Sequence, residues 1–138
     1  MRRITIAVAD ASRARLFAYE RTATPGGLHE ELTELTDLIN PAPREAHDDE
    51  LDDEFARTIV DAIDAQLRAT RPRRLIICAS TRMLGRLRDA HRGAWPGAPE
   101  VDEVPRNVVR LSGHELRAYL GRRYLLPARA SFDQASMS

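Results

Sequence analysis

Ile4 to Ala9 is an unbroken apolar run between charged residues, the pattern of a strand buried on both faces. Asp10-Ala11-Ser12-Arg13 then reads as a tight turn, because Asp and Ser side chains bond nearby backbone N–H groups. Ala14 to Glu20 follows as a second strand, with Leu16, Ala18 and Glu20 on one face and Arg15, Phe17 and Tyr19 on the other. Thr24-Pro25-Gly26-Gly27 is a turn signal, and Leu28 to Leu38 reads as a third, more polar strand near a sheet edge. Such short turns favour an antiparallel meander.

Ile39 to Asp49 holds two prolines and no periodicity, so it reads as a loop. A helix is predicted from about Glu50 to Thr70, capped by Asp48 or Asp49 and stopped by Pro72. Leu51, Phe55, Ile59, Ile63 and Leu67 recur every fourth position and form its apolar stripe. Arg74 to Ala79 is a fully apolar strand of a sheet centre. Ser80 caps a second helix, Thr81 to about Arg92, that buries Met83, Leu84 and Leu87 and ends at Gly93. Val101 to Val104 is a short fifth strand limited by Pro105. Ser112-Gly113-His114-Glu115 is a capping box opening a last helix to about Leu120, which buries Leu116 and Tyr119. Phe17, Tyr19 and Phe55 also fall at core spacing, and Trp95 sits in a Pro/Gly loop, packed beneath it or exposed for stacking. The pattern fades after Arg123. The reading is one α/β domain over residues 1–123 and a partly disordered tail over 124–138.

The order is therefore β-β-β-α-β-α-β-α. Right-handed crossover of parallel strands places the fourth strand beside the first, with helices packed on a mixed five-stranded sheet. This is the layout of ribonuclease H-like domains.

Composition narrows the function classes. The 138 residues hold 21 basic and 21 acidic side chains, so no global field draws the chain to nucleic acid or an acidic membrane. Every basic residue is Arg, which suits bidentate phosphate recognition. Cys78, the single cysteine, lies in an apolar run and reads as a buried small hydrophobe. With no leader pattern and no apolar stretch of spanning length, the expected location is the cytoplasm, without membrane association.

Three blocks then resemble the host-attachment protein family. They are Ile6-Ala7-Val8-Ala9-Asp10-Ala11-Ser12-Arg13-Ala14-Arg15-Leu16-Phe17, then Leu75 through Arg88 with its Leu84-Gly85-Arg86-Leu87-Arg88 helix, then Leu111-Ser112-Gly113-His114-Glu115-Leu116. That family is in turn similar to the middle domain of archaeal and eukaryotic peptide-chain release factors. The resemblance implies the release-factor-middle-domain-like fold and a ribosomal or structured-RNA connection. It does not imply peptide release, because the loop at 39–49 lacks Gly-Gly-Gln, and Gly26-Gly27 lies in another loop and precedes Leu28.

No complete catalytic set is present, so no catalytic residue, cofactor or metal is assigned, and the reading leans to a non-enzymatic binding module. Asp10 is the one residue suited to a metal role, and the first turn of the long helix offers Asp52, Asp53 and Glu54, but Ser80 and Thr81 stand where a further acid is needed. Its other reading is a turn cap. His29 and His47 lack partners at metal-ligand spacing, and His91 and His114 lie near helix ends. The candidate anion or RNA site is Ser12, Arg13, Arg15, Ser80, Thr81, Arg82 and Arg86. Both turns meet at the carboxyl edge of the sheet, beside a helix N-terminus. A metal-dependent nuclease or hydrolase centred on Asp10 and a homodimer through an exposed edge strand are the alternatives.

Overall fold

The computed structural model describes residues 2–41 and 49–127. His47, Asp48 and the end expected to fray at Ser131 to Ser138 lie outside those residues. The elements are β1 (Arg2–Ala9), β2 (Arg13–Thr24), β3 (Gly27–Ile39), α1 (Asp49–Thr70), β4 (Arg74–Ala79), α2 (Thr81–Ala90), β5 (Glu100–Val104) and α3 (Gly113–Arg122).

The strands form one five-stranded sheet in the order β3-β2-β1-β4-β5. β1, β2 and β3 pair antiparallel, while β4 runs parallel to β1 and β5 parallel to β4. The expected α/β order and the β1–β4 pairing are both present, with Ala9 beside Ala79 at the carboxyl ends. The β2–β3 hairpin is four residues longer on the β2 side than its apolar pattern predicts, because Arg21 to Thr24 pair with Gly27 to Glu30. Gly27, at a φ of 123°, closes the Pro25-Gly26 turn in a conformation that other residues rarely adopt.

Two cores cover the two faces. On one, Ala7, Ala9, Leu16, Leu75 and Ile77 meet the stripe Phe55, Ile59, Ile63 and Leu67 of α1 and Met83, Leu84 and Leu87 of α2. On the other, Ile4, Ile6, Val8, Phe17, Tyr19, Ile76 and Cys78 meet Leu116 and Leu120 of α3. Burial pushes the Cys78 thiol up to about 12, so it stays protonated.

Three local differences from the sequence reading have physical causes. α2 stops at Ala90, because His91 turns extended as the C-cap and stacks on Trp95 at 3.6 Å, which also packs against the core. α3 buries Arg117 with Leu116 and Leu120, while Tyr119 is only partly buried. The packed chain also runs past Arg123: Leu126 is buried, and Arg117 holds the Pro127 carbonyl at 2.7 Å.

Candidate functional site

β1, β4 and β5 all end at one edge of the sheet, so the turns that follow them gather there. Asp10 organises the first turn. Its Oδ1 accepts the Ser12 and Arg13 backbone N–H groups at 2.8 Å each, and its Oδ2 accepts from Asn107 Nδ2 at 3.3 Å. Asn40, nearly buried, locks the turn from the far side: its N–H donates to the Ser12 carbonyl and its Nδ2 to the Ala11 carbonyl. This is the turn-cap geometry of an Asx side chain. Among the described residues, no three His, Cys, Asp or Glu side chains come close enough to hold one metal ion.

At the next turn Ser80 caps α2, its Oγ accepting from the Met83 N–H at 3.2 Å. The first turn of a helix directs its remaining N–H groups outward, here those of Thr81 and Arg82. No acidic residue stands in that turn, and Ser80, Thr81 and Arg82 are all exposed.

Arg13, Arg15 and Arg86 each pair with a carboxylate. Arg13 makes a bidentate pair with Asp37, at 2.8 and 2.7 Å. That hydrogen-bonded pairing raises the Arg13 pKa and lowers the Asp37 pKa. Arg15 is buried, grips Glu34 at 3.0 and 2.8 Å, and donates to the Val109 and Leu111 carbonyls. It ties the segment before α3 to the strands, and its hydrogen bonds hold the Glu34 carboxyl below the usual range. Arg86 pairs with Asp53 at 2.7 Å and approaches Asp52 at 3.8 Å, joining α2 to the first turn of α1. The fold thus brings Ser12, Arg13, Ser80, Thr81 and Arg82 to one edge, while Arg15 and Arg86 serve as cross-links between elements.

A second buried arginine escaped the sequence reading. Arg117 holds Glu30 through two hydrogen bonds of 2.8 and 2.9 Å and lies over the Tyr19 ring at 5.5 Å. Tyr19 donates its hydroxyl to the same carboxylate at 2.8 Å. Burial and then the hydrogen bond to Glu30 raise the Tyr19 pKa. Gly121 leaves room for this guanidinium, since a Cβ there would sit 2.9 Å from Arg117 Nη1. The only signal in the sequence was an arginine one position after the buried Leu116, on the inner side of an amphipathic helix.

The edge strand β3 carries a register shift where Leu16 pairs with Thr36 and Phe17 with Glu34, which leaves Leu35 unpaired and 39% exposed. A bulge of this kind twists an edge away from further strand pairing.

The family model for proteins required for attachment to host cells matches residues 39–120. That is more than half of the chain. The chain belongs to this host-attachment family. The matched stretch contains the Leu75–Arg88 and Leu111–Leu116 blocks, and the Ile6–Phe17 block lies outside it. No curated protein matches the sequence significantly. Among solved structures, an archaeal protein superposes on 98% of this chain and 38% of its own length, at 14% identity and a TM-score of 0.59. The type II variant of the Ppx/GppA phosphatase of Aquifex aeolicus covers 75% of this chain and 36% of its own, at 12% identity and a TM-score of 0.50. The archaeal translation termination factor aRF1 covers 88% and 39%, at 13% identity and a TM-score of 0.49. This host-attachment family chain therefore spans less than two fifths of each of those proteins, and the likeness is one of fold. No helix among the described residues is long and apolar enough to cross a membrane.

Proposed function

We propose that this member of the host-attachment family is a non-enzymatic binding module for structured RNA, with the ribosome as the first partner to test. The observation that carries the reading is the start of α2 at the carboxyl edge, free of acidic residues and beside the Asp10 turn. A phosphate seated there would meet outward N–H groups at the positive end of the helix dipole. The Ser80 and Thr81 hydroxyls and the Arg82 guanidinium would add donors. Because Arg13 and Arg86 are neutralised by Asp37 and Asp53, the edge suits one well-placed phosphate rather than a long polyanion track. Ser12 and Arg13 follow β1 at the same edge, and the Arg13–Asp37 pair is exposed enough to exchange a carboxylate for a phosphate.

Sedimentation of cell lysate through sucrose at low and moderate salt tests this. The protein is expected to travel with ribosomes at low salt and to leave them as salt rises. A Thr81→Val, Arg82→Ala double variant is expected to stay at the top at both salts. If the native protein stays at the top throughout, or if the double variant still travels with ribosomes, the reading is wrong.

A further inference from the structure

We infer that the opposite, amino-terminal edge of the sheet is a second binding surface that stacks and holds a segment of single-stranded RNA. A depression of about 190 Å³ opens there, lined by Arg2, Arg73, Arg74, Glu100 and Tyr124 over a floor of Ile4 and Leu125 to Pro127. Its residues come from the start of β1, the approach to β4, the start of β5 and the segment after α3. Glu100 is the one carboxylate in the lining, and it pairs with Arg74 at 3.1 Å, as Asp102 does at 3.2 Å. Arg2 and Arg73 make no ion pair among the described residues, so the depression carries uncompensated positive charge.

Tyr124 is the second, independent observation. It follows the C-cap of α3, in the position where a helix turns left-handed before leaving. Its N–H bonds the Gly121 carbonyl at 3.0 Å, and the Leu125 N–H bonds the Leu120 carbonyl at 3.0 Å, the paired bonds of a Schellman turn. The residue is at a φ of 61°, a conformation that glycine adopts without strain and an aromatic residue does not. The strain gains no packing in return, since Tyr124 is 91% exposed. Arg71, at the end of α1, repeats the pattern on the same edge with a φ of 48° and an exposed side chain. α1 and α3 thus each close with a ligand-capable side chain where glycine would be easier, whereas α2 is followed by Gly93 at a φ of 80°. Strain of this kind, with no compensating side-chain packing, marks a position kept for something outside the fold.

An exposed aromatic face beside uncompensated guanidinium groups is the chemistry of single-strand recognition. Bases stack on the ring, and the arginines follow the phosphates. An acidic peptide would use the arginines and leave the ring idle. This surface lies across the sheet from the carboxyl edge, and its assignment does not depend on that site.

Fluorescence anisotropy with a short labelled oligoadenylate RNA and the full chain tests the inference. The intact protein is expected to bind, with affinity falling as salt rises. Tyr124→Gly should weaken binding about tenfold, the loss of roughly one stacked base. The same substitution should raise the thermal midpoint by about 3 °C, because it relieves the left-handed strain. Tyr124→Phe should bind as the native chain does. Arg2→Ala with Arg73→Ala should reduce the salt slope by about 1.4, or 0.7 per lost phosphate contact on a single strand. Unchanged affinity in Tyr124→Gly would overturn the inference, as would failure of the intact protein to bind. Loss of affinity in the Thr81→Val, Arg82→Ala variant alone would also overturn it, and would leave the carboxyl-edge reading standing. Loss of ribosome association in that variant with oligoadenylate affinity intact would support two separate surfaces.

Discussion

Both edges of the sheet carry arginines, and they differ in how many of them are paired, since at the amino edge only Arg74 among the lining arginines meets carboxylates. At the carboxyl edge Arg13, Arg15 and Arg86 face Asp37, Glu34 and Asp53, and each pairing joins two elements of the fold. At the amino edge Arg2 and Arg73 line an open depression in which Glu100 is the only carboxylate. A chain with equal numbers of acids and bases can therefore present one neutralised and one cationic edge. The net charge constrains only the field at long range. The difference also separates binding styles: directed donors at a helix start on one side, stacking with unneutralised charge on the other.

The contrast breaks most severely at the residue that builds the amino edge from a distance. Arg117 joins α3 to Glu30 of β3 and to the Pro127 carbonyl, just beyond Tyr124. Removing one partner of a buried ion pair leaves the other charge uncompensated, so Arg117→Ala should cost about 3 kcal/mol in urea unfolding. In the folded fraction it should weaken oligoadenylate binding while sparing ribosome association. A smaller loss is expected at the carboxyl edge. Asp10→Ala leaves the Ser12 and Arg13 N–H groups without their acceptor and should cost about 1–2 kcal/mol by the same measurement. If Asp10 were instead a metal ligand, adding Mn²⁺ would raise the thermal midpoint of the native chain and not of the variant, and no such difference is expected.

Arg71→Gly runs in the opposite direction. Relief of its left-handed backbone should stabilise the chain by about 1 kcal/mol, and the loss of its charge at this edge should lower the affinity for oligoadenylate. The smallest effect is electrostatic. Glu34 and Asp37 have folded pKa values below their ordinary ones, because Arg15 and Arg13 hydrogen-bond the charged forms. The folded state thus binds those protons less readily than the unfolded chain does. The stability they lend is complete above the ordinary carboxylate range near pH 4 and is lost as pH falls through the lower folded values. Both side chains are over a third exposed, so the slope should be shallow and flatten further in high salt, as urea midpoints measured from pH 6 to 3 would record.

Much of the fold was legible along the chain because its signals are local. The apolar runs of β1 and β4, the fourfold stripe of α1, and the Ser80 and Ser112 caps each depend on residues within a few positions of one another. Each occurs where the pattern put it, except that Leu51, the first position of the stripe, is only partly buried and stays outside the core. The Asp10 turn was legible for the same reason, since its acceptor and donors lie within three residues. The place of β4 beside β1 followed once the crossover rule was applied, while the pairing of β5 with β4 is given by the structure.

The assignment of arginines to partners was not legible. Arg15 reaches carbonyls 94 and 96 residues away, and Arg117 reaches a carboxylate 87 residues away. With acids spread along the chain, spacing cannot select among them. The amino-edge depression has the same origin, since Arg2, Arg73 and Tyr124 meet only after β4 docks beside β1 and α3 crosses back over β2 and β3. The sequence by itself determined which segments become strands and helices and where the helices begin, because hydrophobic periodicity and capping act over a few residues. The tertiary structure alone decided which charges are neutralised and which face the solvent, because ion pairing acts through space between segments that only the sheet brings together.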